Sequence, residues 1–372
     1  MSDPRLGLVL DGRYRVVERL AAGGMGVVYR GERMGLAKPV AIKFLHRSAA
    51  FVADRRQRFE REAAAMSRLS HPNLASIIDY GSNDDVPYLV MEYHPGMTLK
   101  QVIAIGPLPP ARAVFITRQI LAGLASAHAS GVVHRDLKPA NVLIVGKPGE
   151  DLVKILDFGM AKLLDSDGRP SELSVMAGAI LGTAEYMSPE QVRCELIDAR
   201  ADVYAVGILL YEMITGRPPF EAERDLAVLS KQVEEAPVSP RLSVPRLSEP
   251  LSATILRALE KRREDRWQSA DDFQTALLRT PEGRTVTPSA VEASRAKTVI
   301  APAEYVPPPA PLERTPRAWV TSAPPAFEQI GQRRLRRWVI LVAVVAALLG
   351  GATWLAQELG YIRVAWPGWM TR

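Results

Sequence analysis

The chain is predicted to fold as an α+β protein of two lobes, followed by a linker and one membrane-spanning helix. Three observations predict this. Within residues 14–278, short apolar runs crowd the first part and longer helical stretches crowd the second. Residues 279–332 then turn proline-rich, with ten prolines between Thr280 and Gln332 and few large apolar side chains. Last, Trp338–Ala356 runs nineteen residues without a charge, and at about 1.5 Å per residue this reaches roughly 28 Å, close to the thickness of a hydrocarbon core.

The elements follow in order. Tyr14–Leu20, Gly26–Arg30 and Val40–Leu45 read as strands. A helix is expected from about Asp54 to Leu69, because Phe59, Ala63, Met66 and Leu69 fall on one face. Pro110–Ser130, Ala201–Thr215 and Leu251–Glu260 read as helices, and the run Ala205–Leu210 is apolar enough to be buried. Residues 279–332 cannot bury enough surface to offset chain entropy, so a disordered juxtamembrane linker is expected there.

Arg333, Arg334, Arg336 and Arg337 stand just before the apolar segment, while only Arg363 and Arg372 follow it. A basic stop-transfer and transmembrane helix over 333–356 would therefore place everything before it in the cytoplasm, with a short extracytoplasmic tail over 357–372. The lipid bilayer is thus one expected partner and the inner (cell) membrane the expected location. Met1 to Asp11 carries no secretory signal pattern.

The net charge of +6 is unevenly spread, since residues 280–337 hold nine Lys/Arg against five Asp/Glu. The first 279 residues are left near +1, which argues against a nucleic-acid binder. The one cysteine, Cys194, excludes an intramolecular disulfide and fits a reducing compartment.

The chemistry is concentrated in His134-Arg135-Asp136-Leu137-Lys138-Pro139-Ala140-Asn141 and, sixteen residues after Asn141, Asp157-Phe158-Gly159. In order, these offer a base for a hydroxyl proton (Asp136), a cation for a phosphate (Lys138) and two oxygen ligands for magnesium (Asn141 and Asp157). Phosphoryl transfer through a loose transition state needs such groups positioned rather than covalently reactive. Upstream, Leu20-Ala21-Ala22-Gly23-Gly24-Met25-Gly26-Val27-Val28 is a glycine-rich turn between two strands, where backbone amides can approach phosphates. Val40-Ala41-Ile42-Lys43 ends an apolar strand on a lysine, and Glu62 follows nineteen residues later.

Together these motifs resemble, over about 265 residues, the eukaryotic-type (Hanks-type) Ser/Thr protein kinases, in the membrane-anchored form familiar in bacteria. The resemblance implies a two-lobed protein-kinase-like fold with a strand-rich N-lobe and a helical C-lobe. It also implies an ATP- and Mg²⁺-dependent enzyme, with Mn²⁺ as a possible substitute, acting on protein Ser/Thr and on itself. The turn from Leu20 to Val28 would cover ATP, although Ala21 stands where the family has its first glycine. Lys43 would hold the phosphates and pair with Glu62, while Met91, with the backbone of Glu92 and His94, would border the adenine.

Gly182-Thr183 and Ser188-Pro189-Glu190 resemble the substrate loop and the end of the activation segment. Thr183 would bond Asp136 and Lys138, Glu190 would pair with Arg266, and Asp202 would hold the catalytic-loop backbone. Arg135 implies an anionic partner. The residues between Gly159 and Gly182 contain no threonine and only three serines, so Ser171 or Ser174 is the expected autophosphorylation site. Ala343, Ala347 and Gly351 recur every four residues, so a homodimer could form through the membrane helix or through the kinase domain.

Two other readings compete. A membrane-tethered scaffold that binds nucleotide without turnover would be marked by loss of Lys43, Asp136 or Asp157, and all three are present. A small-molecule kinase of related fold is disfavoured by Lys138 and by the substrate-loop motifs.

Overall fold

The computed structural model describes residues 3–23, 26–45, 63–64, 66–84, 86–146, 150–158 and 184–285. All of them fall in the first of two compact units, Met1–Val299. Gly24, Met25, Glu62, Ser171, Ser174, Thr183, most of the helix expected from Asp54, the linker beyond residue 285, the membrane segment and the tail lie outside the described residues.

The first lobe is an antiparallel sheet. Its strands are β1 (Val9–Leu10), β2 (Tyr14–Gly23), β3 (Gly26–Arg33), β4 (Lys38–Leu45), β5 (Ile77–Asn83) and β6 (Val86–Glu92), in the order β1-β2-β3-β4-β6-β5. Register decides what each face carries. Val27, Phe44 and Tyr88 lie opposite one another, as do Tyr29, Ile42 and Val90. These six form an outer core with Leu10, Tyr14, Val16 and Val40. Val28, Lys43 and Leu89 are likewise opposed, so they share the other face, with Ala41 and Met91 alongside.

Residues 3–13, ahead of β2, cover the outer core. Leu10 is 1 % exposed, the Arg5 guanidinium lies 4.9 Å from the Phe44 ring centre, and the Tyr29 and Tyr88 hydroxyls donate to the carboxylates of Asp3 and Asp11.

The second lobe is helical. Its long helices are α2 (Pro110–Ala129) and α4 (Ala199–Thr215), joined by α1 (Leu99–Ile105), α3 (Pro189–Val192), α5 (Asp225–Glu234), α6 (Glu249–Ala258), α7 (Ala270–Arg279) and α8 (Pro281–Arg284). Helix α4 is buried nearly all round, as the run Ala205–Leu210 predicts. It stops at Gly216, whose φ of 81° places it in the left-handed region that closes helices. A small sheet of β7 (Met97–Thr98), β8 (Val142–Val145) and β9 (Leu152–Ile155) lies among these helices in sequence. Its strands are too short to carry a period-two signal in the sequence.

Ordered structure continues past the expected start of the linker. Thr280 is 1 % exposed and caps α8, with its hydroxyl donating to the Leu277 carbonyl at 2.7 Å and accepting from the Gly283 N–H at 3.0 Å. Glu282 then reaches back to the Ser248 hydroxyl and N–H at the start of α6. Proline at 281 suits the first turn of a helix as well as it suits a linker, so composition alone could not separate the two.

Candidate active site

The residues expected to carry chemistry converge through specific contacts. Asp136 sits between two partners: the Lys138 ammonium lies 3.0 Å from Oδ2, and the Asn141 amide donates to Oδ2 at 3.2 Å and to the Asp136 carbonyl at 2.7 Å. Asn141 belongs to the 3₁₀ turn Pro139–Asn141, just before β8. Its carbonyl accepts from the Leu156 N–H at 2.8 Å, which joins this loop to the strand leading to Asp157. The His134 ring repeats that link, since Nδ1 accepts from the Asp136 N–H and Nε2 donates to the Leu156 carbonyl at 3.0 Å. Its ring also meets Phe158 edge-on, with centres 4.6 Å apart.

Asp202 holds this loop from below. Its carboxylate accepts from the main-chain N–H groups of His134 (2.8 Å) and Arg135 (2.9 Å) and from His128 Nε2 (2.7 Å). Burial opposes its charge, but the His128 hydrogen bond and the nearby donors outweigh that and hold its pKa low. The bond to the Arg135 N–H helps to hold that residue at φ 67°, a conformation that costs about 1–3 kcal/mol for a residue with a side chain.

Lys43 is 4 % exposed and lies 2.8 Å from Asp157 Oδ2. The buried ammonium and the carboxylate expected to hold metal are thus adjacent, and the family-implied partner Glu62 lies outside the described residues. Met91 and Met66 line a narrow pocket with Leu89, Asp157 and Phe158, which places the expected adenine-side methionine next to the chemical end of the cleft.

The glycine-rich hairpin divides by face. Leu20, Ala21, Ala22 and Gly23 are exposed, whereas Val27 points into the outer core and Val28 shares the face of Lys43. Gly23 pairs with Gly26 across the hairpin. At Gly26 a Cβ would overlap the carbonyl oxygen of Phe44, so strand contact alone demands glycine there. Val27 therefore offers a ligand its backbone and not its side chain.

Glu190 and Arg266 meet as expected, in a buried two-point pair with both contacts at 2.8 Å. Several participants were not anticipated. Gln191 caps α3 against Ser188 and also donates to the Arg135 carbonyl at 2.6 Å. His128 on α2 has no motif to mark it. Lys154 is 9 % exposed within β9, and its signal was in the sequence: a lysine inside the apolar run Leu152-Val153-Lys154-Ile155. Around Arg135, Nε and Nη1 are buried and have no hydrogen-bond partner among the described residues.

Comparison with known proteins agrees with this geometry. A family model described as a protein kinase domain matches residues 14–284. The chain is 41% identical over 272 residues to serine/threonine-protein kinase pkn2 of Myxococcus xanthus, covering 73% of this chain and 32% of that protein. It is 35% identical over 349 residues to serine/threonine-protein kinase PknB of Mycolicibacterium smegmatis, covering 91% of this chain and 54% of that protein. The chain thus spans roughly a third to just over half the length of such relatives. Among solved structures, the PknI kinase domain of Mycobacterium tuberculosis matches with a TM-score of 0.57 at 27% identity, covering 73% of this chain and 97% of that one.

Proposed function

The chain belongs to the protein kinase family, and from that premise we propose that it is a Mg²⁺-dependent Ser/Thr protein kinase, transferring the γ-phosphoryl group of ATP to protein hydroxyls, its own included. One observation carries this reading. The pairs Lys43–Asp157 and Lys138–Asp136, with Asn141 donating to Asp136, are laced together through Leu156 and His134.

The oxygen donors suit a hard divalent cation. Both hydrogen bonds from the Asn141 side chain to Asp136 use its amide nitrogen and not its oxygen, and Asp157 Oδ2 lies 2.8 Å from the Lys43 ammonium. Asn141 and Asp157 would therefore hold Mg²⁺, or Mn²⁺ in its place. When bound, the metal neutralises charge on the nucleotide phosphates. Lys43 supplies a buried ammonium to the same phosphates. Asp136, fixed by Lys138 and Asn141, orients the substrate hydroxyl and takes its proton. Lys138 offsets charge on the transferred group. Thr183 would complete the set from the substrate loop.

Arg135 Nε and Nη1, buried and without a hydrogen-bond partner among the described residues, support a switch. Phosphorylation at Ser171 or Ser174 would add about −1.5 to −2 charges opposite it. Phosphopeptide mapping of active enzyme tests this, and an unmodified 159–183 segment counts against it. Composition supports the rest: a linker after the kinase domain, a single membrane helix within 333–356, and a cytoplasmic catalytic domain at the inner (cell) membrane. Among the described residues no helix is long and apolar enough to cross a membrane, so the anchor rests on Trp338–Ala356 alone. Self-association through Ala343, Ala347 and Gly351 would favour phosphorylation in trans, and Ala347→Leu tests it in a bilayer.

The deciding experiment is label transfer from γ-labelled ATP with Mg²⁺, comparing residues 1–285 with the same fragment carrying Asp136→Asn. Label on Ser/Thr of the first and not the second is expected. Nucleotide binding without label in either would favour the non-catalytic scaffold.

A further inference from the structure

A buried lysine in a short strand lacks a catalytic role in the scheme above. Lys154 lies on β9, two residues after its start and three before Asp157, and is 9 % exposed. Its ammonium donates to the Leu74 carbonyl at 3.3 Å and lies 3.7 Å from Glu92 Oε2. That same Glu92 oxygen accepts from His94 Nε2 at 3.2 Å. Glu92 ends β6, and its N–H donates to the Ser76 carbonyl at 3.0 Å. The segment around Leu74 is laced to β9 through Ala75 N–H to Ile155 O (2.9 Å) and Ile155 N–H to Asn73 O (2.8 Å).

Among the described residues, this side chain thus links the strand that leads to Asp157 with the approach to β5 and with the end of β6, where the chain passes between lobes. Burying an ammonium carries a desolvation cost that an isosteric methionine would avoid. Glu92 is half-exposed, and its charge is divided between Lys154 from one lobe and His94 from the connecting segment. This is a clamp on the connecting segment rather than on the metal end of the site.

We propose that Lys154 is a positioning residue for nucleotide binding, fixing the Glu92–His94 segment against β9 through the Glu92 carboxylate. The proposal rests on the kinase reading, because it takes the backbone of Glu92 and His94 as the adenine border. Lys154 touches no expected ligand itself. Its effect passes through Glu92, and the reacting groups Asp136, Lys138 and Asn141 are held by other contacts.

The test uses the purified 372-residue chain and reads nucleotide affinity separately from turnover. Fluorescence titration with an N-methylanthraniloyl ATP analogue gives Kd, and peptide phosphorylation gives KM for ATP and kcat. Lys154→Met is expected to weaken Kd and raise KM about ten-fold, with kcat moving far less, the range found for residues that act through packed neighbours. Glu92→Gln should weaken binding similarly, the double variant should be no weaker than either single one, and Lys154→Arg should restore most of the affinity.

Loss of thermal stability in Lys154→Met with Kd and KM unchanged would overturn the proposal, as would fully additive effects of the two substitutions. If the wild-type chain binds the analogue but transfers no phosphate, the catalytic reading falls while the Kd comparison still decides the clamp. If the wild-type chain binds no nucleotide, both fall.

Discussion

Replacing Glu190 by glutamine should destabilise the catalytic domain by several kcal/mol while changing almost no volume. The magnitude follows from Arg266, which is 0 % exposed. A guanidinium has five N–H donors, and all five are used here. Three go to main-chain carbonyls of Glu260 (2.7 Å), Lys261 (2.9 Å) and Arg200 (3.2 Å), and two to the Glu190 carboxylate at 2.8 Å each. Glu190→Gln leaves the three carbonyls in place, keeps one acceptor oxygen, and turns an amide N–H₂ towards a guanidinium N–H.

Two charge-assisted bonds, worth about 1.5–3 kcal/mol each, are weakened or lost. That agrees with the roughly 3–5 kcal/mol seen when one partner of a buried pair is removed. Against a domain stability of about 5–15 kcal/mol, a loss near 3 kcal/mol is severe but measurable. Urea unfolding of residues 1–285 reads it through Trp267, the only tryptophan in that stretch. With a slope of about 3 kcal/mol/M the midpoint should fall by about 1 M. Asp265→Asn is the control, because its pair with Arg262 is exposed at 3.7 Å and should contribute less than about 1 kcal/mol. Equal midpoint shifts for the two variants would refute the reasoning.

Three further outcomes are expected. Asp136→Asn should lower phosphorylation by about 10²–10⁴-fold with the unfolding midpoint unchanged within error, and a loss of folding instead would remove its catalytic assignment. Burial pushes the Glu212 carboxyl up to about 7 from 4.5, despite the Tyr186 hydrogen bond. The folded chain thus keeps a proton that the unfolded chain releases, so stability should fall as pH rises from about 4.5 to 7, by at most about 3 kcal/mol. Glu212→Gln should flatten that slope, and an unaltered pH–stability curve would show that the carboxyl does not titrate there. Gly26→Ala should disrupt the β2–β3 hairpin, because its Cβ overlaps the Phe44 carbonyl, and should cost at least about 1–3 kcal/mol; a variant as stable as wild type would contradict the register at Gly26.

The residues that the structure brings together around Asp136 and Asp157 were legible in the sequence because they lie in local motifs with fixed spacing. Lys43 closes an apolar strand, and Asp136, Lys138 and Asn141 sit on one loop. Glu190–Arg266 and Asp202 were legible only through the family resemblance, since nothing local links positions 76 residues apart. The tertiary contacts of His128 and Gln191 were not legible. Each is a polar residue on a helix, where an outward-facing side chain gives the same pattern, and only the tertiary arrangement brings it to Asp202 or to the Arg135 carbonyl. Proline content points to a boundary at residue 279, whereas the folded unit keeps Thr280 and Glu282 because their side chains cap helices.

The segment ahead of Tyr14 bears on where a functional fragment can begin. The family match starts at residue 14, so a fragment cut to that boundary would look complete. It would lack Leu10, leaving the apolar outer surface of the sheet open to water, and would strip the Tyr29 and Tyr88 hydroxyls of their carboxylate acceptors. Such a truncation invites aggregation through the side of the sheet opposite the nucleotide cleft. A soluble catalytic fragment should therefore begin no later than Asp3, eleven residues before the family match does.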